Sequence, residues 1–567
     1  MHDPFEDDLP GGADAPREVW VIEAPGKSRA LTALLGRMGR HADVYSTKGH
    51  LFAFPDGLEP LGIDADGYDH GRIPRDPTRV EAIRKAAARA STVYVATDAD
   101  QEGDVIAWDV AVAISDIVPD PVRVRLRGID EDAVRTALEN PGRVTADDAV
   151  PGRTRAIVDR VIGATFSKPG MPVGRVGTAV IGLAARGLDR DRATLTAPCA
   201  NGGRPFQCTF SVGASVATDV ARRLVDREWP GLRVASKRPS DYRPGDTSRI
   251  ISRAGDDLDM PPVQTMKGMQ TLYEEGRFSY PRSDGKGMSK SSARALMRAL
   301  KKVGIAAREE NLAVKADEDT HDAPHPVGPV RCRGNVEALG DLEGLREVAA
   351  RDVARAAVTR TVEKADDGPV RRELVRMGLD ATTVDHVLAE GFLRETGPRV
   401  PGEDAYAPSG LHRRRADVAL VEHMVEAGVG RPSTWAVHAE KSLGRGLVGA
   451  DLKPTSKGVR CLEGAPPSLR TPELCARIET VISDLPRDGT SASPAWQRNA
   501  MAILSRVPAD VRDPVAERLA REPAVPRTDP VDRSPVPGIG GTPTRPGAPV
   551  RPADPPPVPA PRNVPRI

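Results

Sequence analysis

The N-terminal part of the chain alternates short apolar segments with longer amphipathic segments. Apolar strand patterns occupy residues 18–23, 42–47, 92–96 and 122–126. Helical patterns occupy residues 27–38, 78–90, 103–114 and 131–138. Strands that alternate with helices along a chain form a parallel sheet covered by helices. The alternation therefore predicts a parallel α/β domain over residues 17–145.

The rest of the chain is predominantly helical in pattern. Helical patterns occupy residues 154–162, 176–185, 263–276, 289–303, 342–362, 416–427 and 471–485. Residues 203–260 are mixed, with a strand pattern at 206–214. The predicted fold class is therefore multidomain, an α/β domain followed by an α-rich part. We also expect a flexible head at 1–16, a helical extension at 491–523 and a disordered Pro/Arg-rich tail at 524–567.

Bulk properties exclude several classes of protein. The net charge is only +1, so nucleic-acid binding would have to come from local patches. The five cysteines form no C-x-x-C pair, which argues against a disulfide framework and a zinc ribbon. No long apolar run predicts a membrane span, and the acidic start at 1–8 is not a signal peptide. We expect a cytoplasmic location.

An acidic cluster follows the apolar strand at 92–96. Asp98, Asp100 and Glu102 stand between that strand and the next helix. Sites in open α/β sheets lie at the carboxyl ends of strands, and carboxylates placed there can share Mg²⁺, which prefers oxygen ligands. The alternative is an acidic loop that caps the helix.

A second polar motif follows the first strand. Glu23 ends the strand and Lys27 opens the helix, so a proton-transfer group and a phosphate-binding cation would lie within one turn. Residues 26–28 are Gly-Lys-Ser, but Val21 stands where a phosphate-binding P-loop needs its first glycine. This argues against a P-loop NTPase. The alternative is a surface Glu and Lys at a turn.

A tyrosine stands in an unusual local setting. Tyr280 follows a helical pattern that stops at Gly276, and Pro281 keeps its segment extended. Arg282 is close enough to stabilise charge on a phosphate bound to the phenol oxygen. Tyrosine is a suitable reversible phosphoryl acceptor because phenoxide is a good leaving group. The alternative is an ordinary strand residue.

These motifs resemble the toprim domain, which topoisomerases, bacterial primases and some nucleases share. The segment 46–51, Ser-Thr-Lys-Gly-His-Leu, resembles the next toprim element and adds His50. The segment 280–284, Tyr-Pro-Arg-Ser-Asp, resembles the catalytic element of type IA DNA topoisomerases, most closely the topoisomerase III branch. Further segments resemble family elements in family order: 155–163, 174–178, 321–326, 430–434 and 452–458.

The resemblance implies a toprim domain followed by a toroidal core at 146–490, with the catalytic tyrosine in a domain at 263–385. It implies a 5′-phosphotyrosine on single-stranded DNA, strand passage and religation without ATP. The implied catalytic residues are Tyr280, Arg282, Glu23, Lys27 and His321, and the implied Mg²⁺ ligands are Asp98, Asp100 and Glu102. The implied DNA-binding residues are His50, Arg155, Asp159, Arg160, Arg175, Arg431, Ser433 and Thr434. We expect a monomer with DNA as its partner.

Three positions depart from the family pattern. Gln101 stands where the family usually has Arg, Gly177 where it has Gln, and Asp109 where some members have His. These departures characterise a divergent member. Two alternatives remain: a toprim primase or nuclease, which would not need Tyr280, and a DNA-binding descendant with weakened catalysis.

Overall fold

The computed structural model describes residues 17–129, 131–313, 321–332, 336, 339–398, 400, 408–485 and 495–525. The predicted head at 1–16 lies outside the described residues, as does the predicted tail beyond residue 525. Residues 491–494 of the predicted extension also lie outside them. Every helix in the described part of the chain is too short or too polar to cross a bilayer. All five cysteines are free.

A five-stranded sheet with the order β2-β1-β5-β6-β7 forms the N-terminal part. Its strands are β1 (Glu18–Ile22), β2 (Ala42–Ser46), β5 (Thr92–Val95), β6 (Val122–Arg123) and β7 (Gly142–Arg143), and β3 (Phe52–Ala53) pairs separately with β4 (Ile73–Pro74). The helices are α1 (Gly26–Arg37), α2 (Pro77–Ala87), α3 (Gln101–Ile114) and α4 (Glu131–Glu139). The first four strands pair in parallel and β7 pairs antiparallel with β6. The predicted parallel α/β arrangement is therefore confirmed.

The two faces of this sheet bury alternate residues of β1. Val19 and Val21 pack on the face covered by α2 and α3. Trp20 and Ile22 pack on the opposite face with α1 and α4. A central parallel strand is buried on both faces, which is why its sequence is a continuous apolar run.

A second, antiparallel sheet has the order β10-β11-β12-β9-β8-β13. Its strands are β8 (Asp191–Ala197), β9 (Phe206–Val212), β10 (Val234–Pro239), β11 (Thr361–Ala365), β12 (Leu393–Thr396) and β13 (Gly410–His412). The sequence predicted β9 but gave no signal for the long-range pairing of β10 with β11. The core of this part is formed by apolar residues from the sheet, α7 (Thr218–Val225), α13 (Gly368–Arg376) and α14 (Ala381–Val387).

Helices make up most of the remaining described chain. They are α5 (Val150–Phe166), α6 (Arg175–Ala185), α8 (Thr247–Leu258), α9 (Pro262–Glu274), α10 (Lys290–Lys302), α11 (Glu309–Leu312), α12 (Asp341–Ala357), α15 (Ala416–Glu426), α16 (Trp435–Gly444), α17 (Ser456–Gly464), α18 (Pro472–Ser483), α19 (Ala495–Arg506) and α20 (Ala509–Leu519), with a 3₁₀ turn at Pro467–Arg470.

The predicted helix at 342–362 is wrong at its C-terminal end. Helix α12 stops at Ala357, and Val358 is already extended. Thr361 and Val362 pair with β12 instead. The cause is a run of β-branched residues, which fit a pleated strand better than a helix.

The helices α19 and α20 pack on the helical part of the chain. Trp496 of α19 is fully buried and lies in one hydrophobic cluster with Ile157 and Val161 of α5. The Arg153 guanidinium lies 4.5 Å above the Trp496 ring, and the Trp496 carbonyl accepts a hydrogen bond from Thr154. These contacts fix α5, which carries several of the predicted DNA-binding residues.

Candidate active site

The first element of the site is the turn from β1 into α1. Lys27 is buried, and its Nζ donates a hydrogen bond of 2.5 Å to Asp98 Oδ1. The same ammonium lies 4.0 Å from the centroid of the Tyr273 ring. A buried ammonium needs an anionic partner to offset lost hydration. Because β1 and β5 are parallel neighbours, the residues that follow them meet at one sheet edge.

The acidic cluster itself lies between β5 and α3. Asp98 forms a bridge with Leu126, beyond the end of β6. Asp100 is the N-cap of α3, and its carboxylate accepts a hydrogen bond of 2.6 Å from the Gly103 amide. The Thr97 hydroxyl donates to the Gly103 carbonyl at 2.6 Å. These bonds hold the loop closely against the start of α3.

Gly103 is required by this close approach. A Cβ at Gly103 would lie 2.1 Å from the Asp98 carbonyl oxygen. We expect Gly103→Ala to lower the free energy of unfolding by about 1–3 kcal/mol through this overlap. Gly36→Ala is the matched control, since a Cβ on that exposed helical residue meets nothing within 4 Å; it should stabilise by about 0.5–1 kcal/mol. Urea unfolding measures both changes, and a Gly103→Ala protein as stable as the parent would contradict the packing described.

Arg123 supports the acidic cluster through hydrogen bonds to its backbone. It is buried, and its guanidinium donates to the carbonyl oxygens of Val95, Thr97 and Asp98 at 3.0–3.2 Å. It also bonds the Asp104 carboxylate at 3.0 Å. This role could not be predicted from the sequence, because an arginine in a short strand is typical of a surface residue.

The structure brings Tyr280 into this acidic cluster. Tyr280 is buried, and its hydroxyl donates a hydrogen bond to the Asp100 carboxylate. The Tyr280 ring stacks on the His321 ring with a centroid separation of 4.1 Å. Gly276, with φ of 69°, ends α9 in the left-handed conformation that turns the chain toward the site. The two motifs, 180 residues apart, therefore form one site.

His321 is half-buried beside Tyr280. Its Nε2 has no hydrogen-bond partner in the structure. Burial lowers the pKa of His321, and the charges of Asp100 and Asp98 oppose this shift. The ring is therefore neutral near pH 7 and can bond a further polar group.

Two further predicted residues complete the centre. Arg282 Nη1 lies 3.8 Å from Glu23 Oε1. Burial, and then the charges of Asp98 and Asp100, raises the pKa of Glu23 to about 7. Glu23 Oε2 is buried and has no hydrogen-bond partner in the part of the chain that the structure describes. Glu23, Asp98 and Asp100 therefore form a region of concentrated negative charge beside the tyrosine.

Glu102, the third predicted metal ligand, has different partners. His50 Nε2 lies 2.8 Å from Glu102 Oε2, and Arg155 Nη1 lies 3.9 Å from Oε1. Burial would raise the pKa of Glu102, but His50 and Arg155 outweigh burial and bring it to about 2. Burial would likewise lower the pKa of His50, but Asp109 and Glu102 raise it to about 9. The pair is therefore ionised near neutral pH.

Within the described ranges, no group of three His, Cys, Asp or Glu side chains is arranged to hold a metal ion. The Lys27 ammonium already donates a hydrogen bond to Asp98 Oδ1. The Tyr280 hydroxyl and the Gly103 amide already donate hydrogen bonds to the Asp100 carboxylate. Asp98 and Asp100 also interact electrostatically with a third carboxyl group, that of Glu23. The donors nevertheless suit a hard divalent cation, since they are carboxylate oxygens in a region of excess negative charge.

Three predicted DNA-binding arginines converge on one carboxylate. Arg155 donates to Glu479 at 2.6 Å, Arg175 at 3.0 Å, and Arg431 Nε lies 3.7 Å away. Among the described residues, the buried Nη1 atoms of Arg155 and Arg431 have no hydrogen-bond partner. Glu479 lies on α18 and was missed by sequence reasoning, because a single Glu in an amphipathic helix carries no distinguishing signal.

The remaining predicted DNA-binding residues occupy separate positions. Asp159 accepts a hydrogen bond of 2.7 Å from Arg175. Arg160 instead donates to the carbonyl oxygens of Pro55, Pro60 and Leu61, so it holds a loop of the α/β domain. Thr434 precedes α16, and its Oγ1 accepts a hydrogen bond of 3.1 Å from the Arg431 amide. Ser433, between them, is half-buried.

The structure explains two of the three departures from the family pattern. Gln101 Oε1 accepts a hydrogen bond of 3.1 Å from Arg155, so it orients an arginine near the site. Asp109 is buried and bonds Arg72 at 2.8 Å, with His50 Nδ1 3.8 Å away. Gly177 lies on α6, where a Cβ would meet nothing within 4 Å. Nothing in the structure explains its lack of a side chain.

Comparison with known proteins agrees with this geometry. Residues 18–127 match the Toprim domain family, and the Toprim domain is a metal-binding fold. The solved structure of full-length topoisomerase I from Thermotoga maritima superposes with a TM-score of 0.57 at 19% identity, over 86% of this chain and 90% of that chain. That likeness concerns the fold, and it confirms the predicted multidomain α/β plus α-rich class.

Curated relatives share a large part of the chain. Reverse gyrase 2 of Aeropyrum pernix is 27% identical over 538 residues, covering 77% of this chain and 44% of its own length. DNA topoisomerase 1 of Zymomonas mobilis is 25% identical over 500 residues, covering 73% and 39%. DNA topoisomerase 1 of Xylella fastidiosa is 23% identical over 533 residues, covering 78% and 64%. The chain thus spans 39–64% of the length of these relatives.

The α/β sheet with carboxylates at its strand ends defines a Toprim-domain protein. The relatives named DNA topoisomerase 1 and reverse gyrase, and the fold of the remaining chain, agree with the resemblance to type IA topoisomerases. The narrower resemblance to the topoisomerase III branch stays a prediction.

Proposed function

We propose that the chain is a type IA DNA topoisomerase. It would cut one DNA strand through a transient 5′-phosphotyrosine, pass a strand through the break and rejoin the ends without ATP. The hydrogen bond from the Tyr280 hydroxyl to Asp100 carries this proposal, because it unites a nucleophile with the acidic cluster. The names of the relatives, DNA topoisomerase 1 and reverse gyrase, support the same activity.

Cleavage would begin at the Tyr280 hydroxyl. Its oxygen forms a bond to the phosphorus of a phosphodiester while the bond from phosphorus to the 3′-oxygen breaks. The phenol proton passes to Asp100, which already accepts its hydrogen bond. Burial, then the charges of Asp100 and Asp98, raises the pKa of Tyr280 well above its usual range, and Arg282 opposes this shift. The phenol therefore stays neutral until DNA is in place.

The leaving 3′-oxygen needs a proton, and Glu23 is suited to give it. Its pKa, raised to about 7 by burial and by Asp98 and Asp100, keeps both its protonated and ionised forms available near neutral pH. Protonated Glu23 would supply the proton during cleavage. Its carboxylate would take the proton back from the 3′-hydroxyl when Tyr280 leaves and the strand is rejoined.

Charge on the phosphate would be stabilised by Arg282, Lys27 and His321. Arg282 follows the nucleophile by two residues and lies beside Glu23. Lys27 is fixed at the same sheet edge by Asp98. His321 Nε2 is buried without a partner next to the Tyr280 ring, so a phosphate oxygen would satisfy it. Such preorganised donors cost little reorganisation when the reaction occurs.

Mg²⁺ fits the carboxylates at this edge. Asp98 and Asp100 would hold it, and Glu102 would join them only by giving up its contact with His50. Burial raises the pKa of Glu23 first, and the charges of Asp98 and Asp100 raise it further against the opposing charges of Arg282 and Lys27. The part due to Asp98 and Asp100 agrees with a site for a cation. When bound, the ion supplies positive charge that lets the acidic cluster and the DNA backbone approach each other.

Single-stranded DNA would reach the tyrosine along the arginine cluster. The Nη1 atoms of Arg155 and Arg431 make no hydrogen bond among the described residues and would donate to phosphate oxygens, although Arg155 Nη1 also lies 3.9 Å from Glu102 Oε1. Arg155 contacts both Gln101 and Glu479, so the cluster adjoins the acidic loop. Arginine guanidinium groups suit this contact because they can bind one phosphate with two hydrogen bonds.

The proposal extends to the organisation of the chain. A toprim domain at 17–145, a toroidal core at 146–490 and a tyrosine domain at 263–385 would work as a monomer on DNA. The extension at 491–523 would support the core, and the tail at 524–567 would be dispensable for chemistry. We place this activity in the cytoplasm.

Two assays on the purified full chain test the function. Negatively supercoiled plasmid should relax with Mg²⁺ in the absence of ATP. An oligonucleotide labelled at its 3′ end should remain attached to the denatured protein, whereas a 5′ label should be released. Primer synthesis, or metal-dependent nicking without a covalent product, would favour the toprim primase or nuclease. DNA binding without cleavage would favour the descendant with weakened catalysis.

The pH dependence of cleavage tests Glu23. Because its protonated form is the proton donor, the rate of covalent attachment in EDTA should fall as the pH rises through about 7. Glu23→Gln should slow attachment by about 10²–10⁴-fold and remove this decline. Single-turnover rates between pH 5.5 and 9 measure both. A Glu23→Gln protein that keeps the wild-type decline would show that another group supplies the proton.

A further inference from the structure

The segment that carries the nucleophile is held by a residue outside the catalytic motifs. Thr247, the first residue of α8, is fully buried. Its hydroxyl lies 2.7 Å from the Pro281 carbonyl oxygen and 2.8 Å from that of Ser283. The same oxygen accepts a hydrogen bond of 2.9 Å from the Ser283 amide. The Thr247 amide also donates to the Ser283 carbonyl at 2.9 Å.

These bonds reach the residues on both sides of Arg282. They therefore fix the backbone that follows Tyr280, at the point where Pro281 leaves no amide to form a bond of its own. A side-chain hydroxyl that bonds both an amide and a carbonyl can hold an irregular segment that no strand partner fixes. The Arg282 guanidinium emerges from this held segment toward Glu23.

The same segment also positions His321. The Ser283 hydroxyl donates to the His321 carbonyl at 3.1 Å and accepts from the Gly285 amide at 3.0 Å. A Cβ on Gly285 would lie 2.2 Å from the His321 carbonyl oxygen, so the two backbones are in close contact. Thr247 thus holds Ser283, and Ser283 holds the chain beside His321.

Helix α8 is itself anchored on two sides. Arg253 Nε lies 3.2 Å from Asp352 of α12, a carboxylate with no solvent exposure. Ser252 donates a hydrogen bond of 2.5 Å to Glu422 of α15, which also binds Arg414 at 2.5 Å. Since both neighbours fix the helix, its first residue is a firm support for the tyrosine segment.

We propose that Thr247 is a positioning residue for cleavage, acting through the 281–283 backbone on Tyr280 and Arg282. It touches neither DNA nor the reacting atoms. The inference rests on the proposed function, because it assumes that Tyr280 is the nucleophile. Without the hydroxyl, the Ser283 amide and the Pro281 carbonyl lose a partner, and the tyrosine leaves its alignment with Asp100.

The test compares Thr247→Val with Thr247→Ser in the full chain. Valine keeps the shape and removes the hydroxyl, whereas serine keeps the hydroxyl and removes a methyl group. Thr247→Val should lower the single-turnover rate of covalent attachment at least about tenfold, since small misplacements cost up to about 10²-fold. Thr247→Ser should restore the rate to near wild type. Affinity for the same single-stranded oligonucleotide should be unchanged in both variants.

Each outcome is decisive for the positioning role. A Thr247→Val protein that attaches at the wild-type rate overturns it, as does a loss of attachment that Thr247→Ser shares. A fall in oligonucleotide affinity that matches the fall in rate also overturns it. If Thr247→Val does not fold, Thr247→Ala takes its place, with rates expressed per folded molecule. Failure of the wild-type chain to form an adduct would instead refute the proposed function.

Discussion

Replacing Tyr280 with Phe should abolish covalent attachment to DNA while the fold persists. Only the hydroxyl is lost, and the stacking of the ring on His321 remains possible. We expect the rate of attachment to fall by at least about 10³-fold, because no other group replaces the nucleophile. Loss of the hydrogen bond to the Asp100 carboxylate should lower the free energy of unfolding by about 1.5–3 kcal/mol. Denaturing gels of end-labelled oligonucleotide measure attachment.

Tyr94→Phe is a matched control for this change. Tyr94 lies on β5 of the same domain, and its phenol hydroxyl accepts a hydrogen bond of 2.9 Å from Arg40. The substitution removes that hydroxyl. This variant should form the adduct at the wild-type rate. A normal adduct yield from Tyr280→Phe would end the assignment of Tyr280, and equal losses in both variants would point to a defect in folding.

Replacing Asp98 and Asp100 together with Asn should stop relaxation and spare part of the cleavage. Both substitutions keep the size of the side chain and remove two of the carboxylates proposed to hold Mg²⁺. Relaxation of negatively supercoiled plasmid should fall by at least about 100-fold, corresponding to the several kcal/mol a catalytic ion contributes. Cleavage of single strands should be slower, since Asn at position 100 cannot accept the phenol proton, but some should survive because Tyr280 and Arg282 are intact. A Mg²⁺ titration of both activities measures the change.

The matched control for this double variant also removes two carboxylate charges, but from the surface of the domain. Asp116 and Asp120 belong to the same domain and have side chains more than half exposed. Their double replacement with Asn should leave the Mg²⁺ dependence unaltered. If the Asp98 and Asp100 variant relaxes plasmid with the wild-type dependence on Mg²⁺, these two residues do not form the metal site.

The α/β domain could be predicted because its signals are local. Strand β1 is a continuous apolar run, since both of its faces are buried, and α1 and α3 begin at clear turn residues. The antiparallel sheet gave weak signals, because pairs such as β10 with β11 join residues far apart in sequence. The end of α12 was misjudged because helical periodicity continued into residues whose partners lie in β12.

The catalytic residues were predictable in type and less so in arrangement. The motifs around Asp98 and Tyr280 predicted that both contribute to one active site. The contact between them could not be predicted, because it depends on tertiary structure. Glu102 was grouped with Asp98 and Asp100 from its place between strand and helix and from the toprim resemblance, whereas in the structure its carboxylate lies against His50. Arg123, Glu479 and Thr247 gave no signal, because each acts through contacts with distant segments.

Peptide mapping of the trapped covalent complex tests the central claim most directly. The full chain is incubated with a single-stranded oligonucleotide, denatured, digested with nuclease and protease, and examined by tandem mass spectrometry. The account predicts a nucleotide joined through its 5′-phosphate to Tyr280, which after digestion with trypsin lies on the peptide 278–282. A nucleotide on another residue, or one linked through its 3′-phosphate, would contradict it.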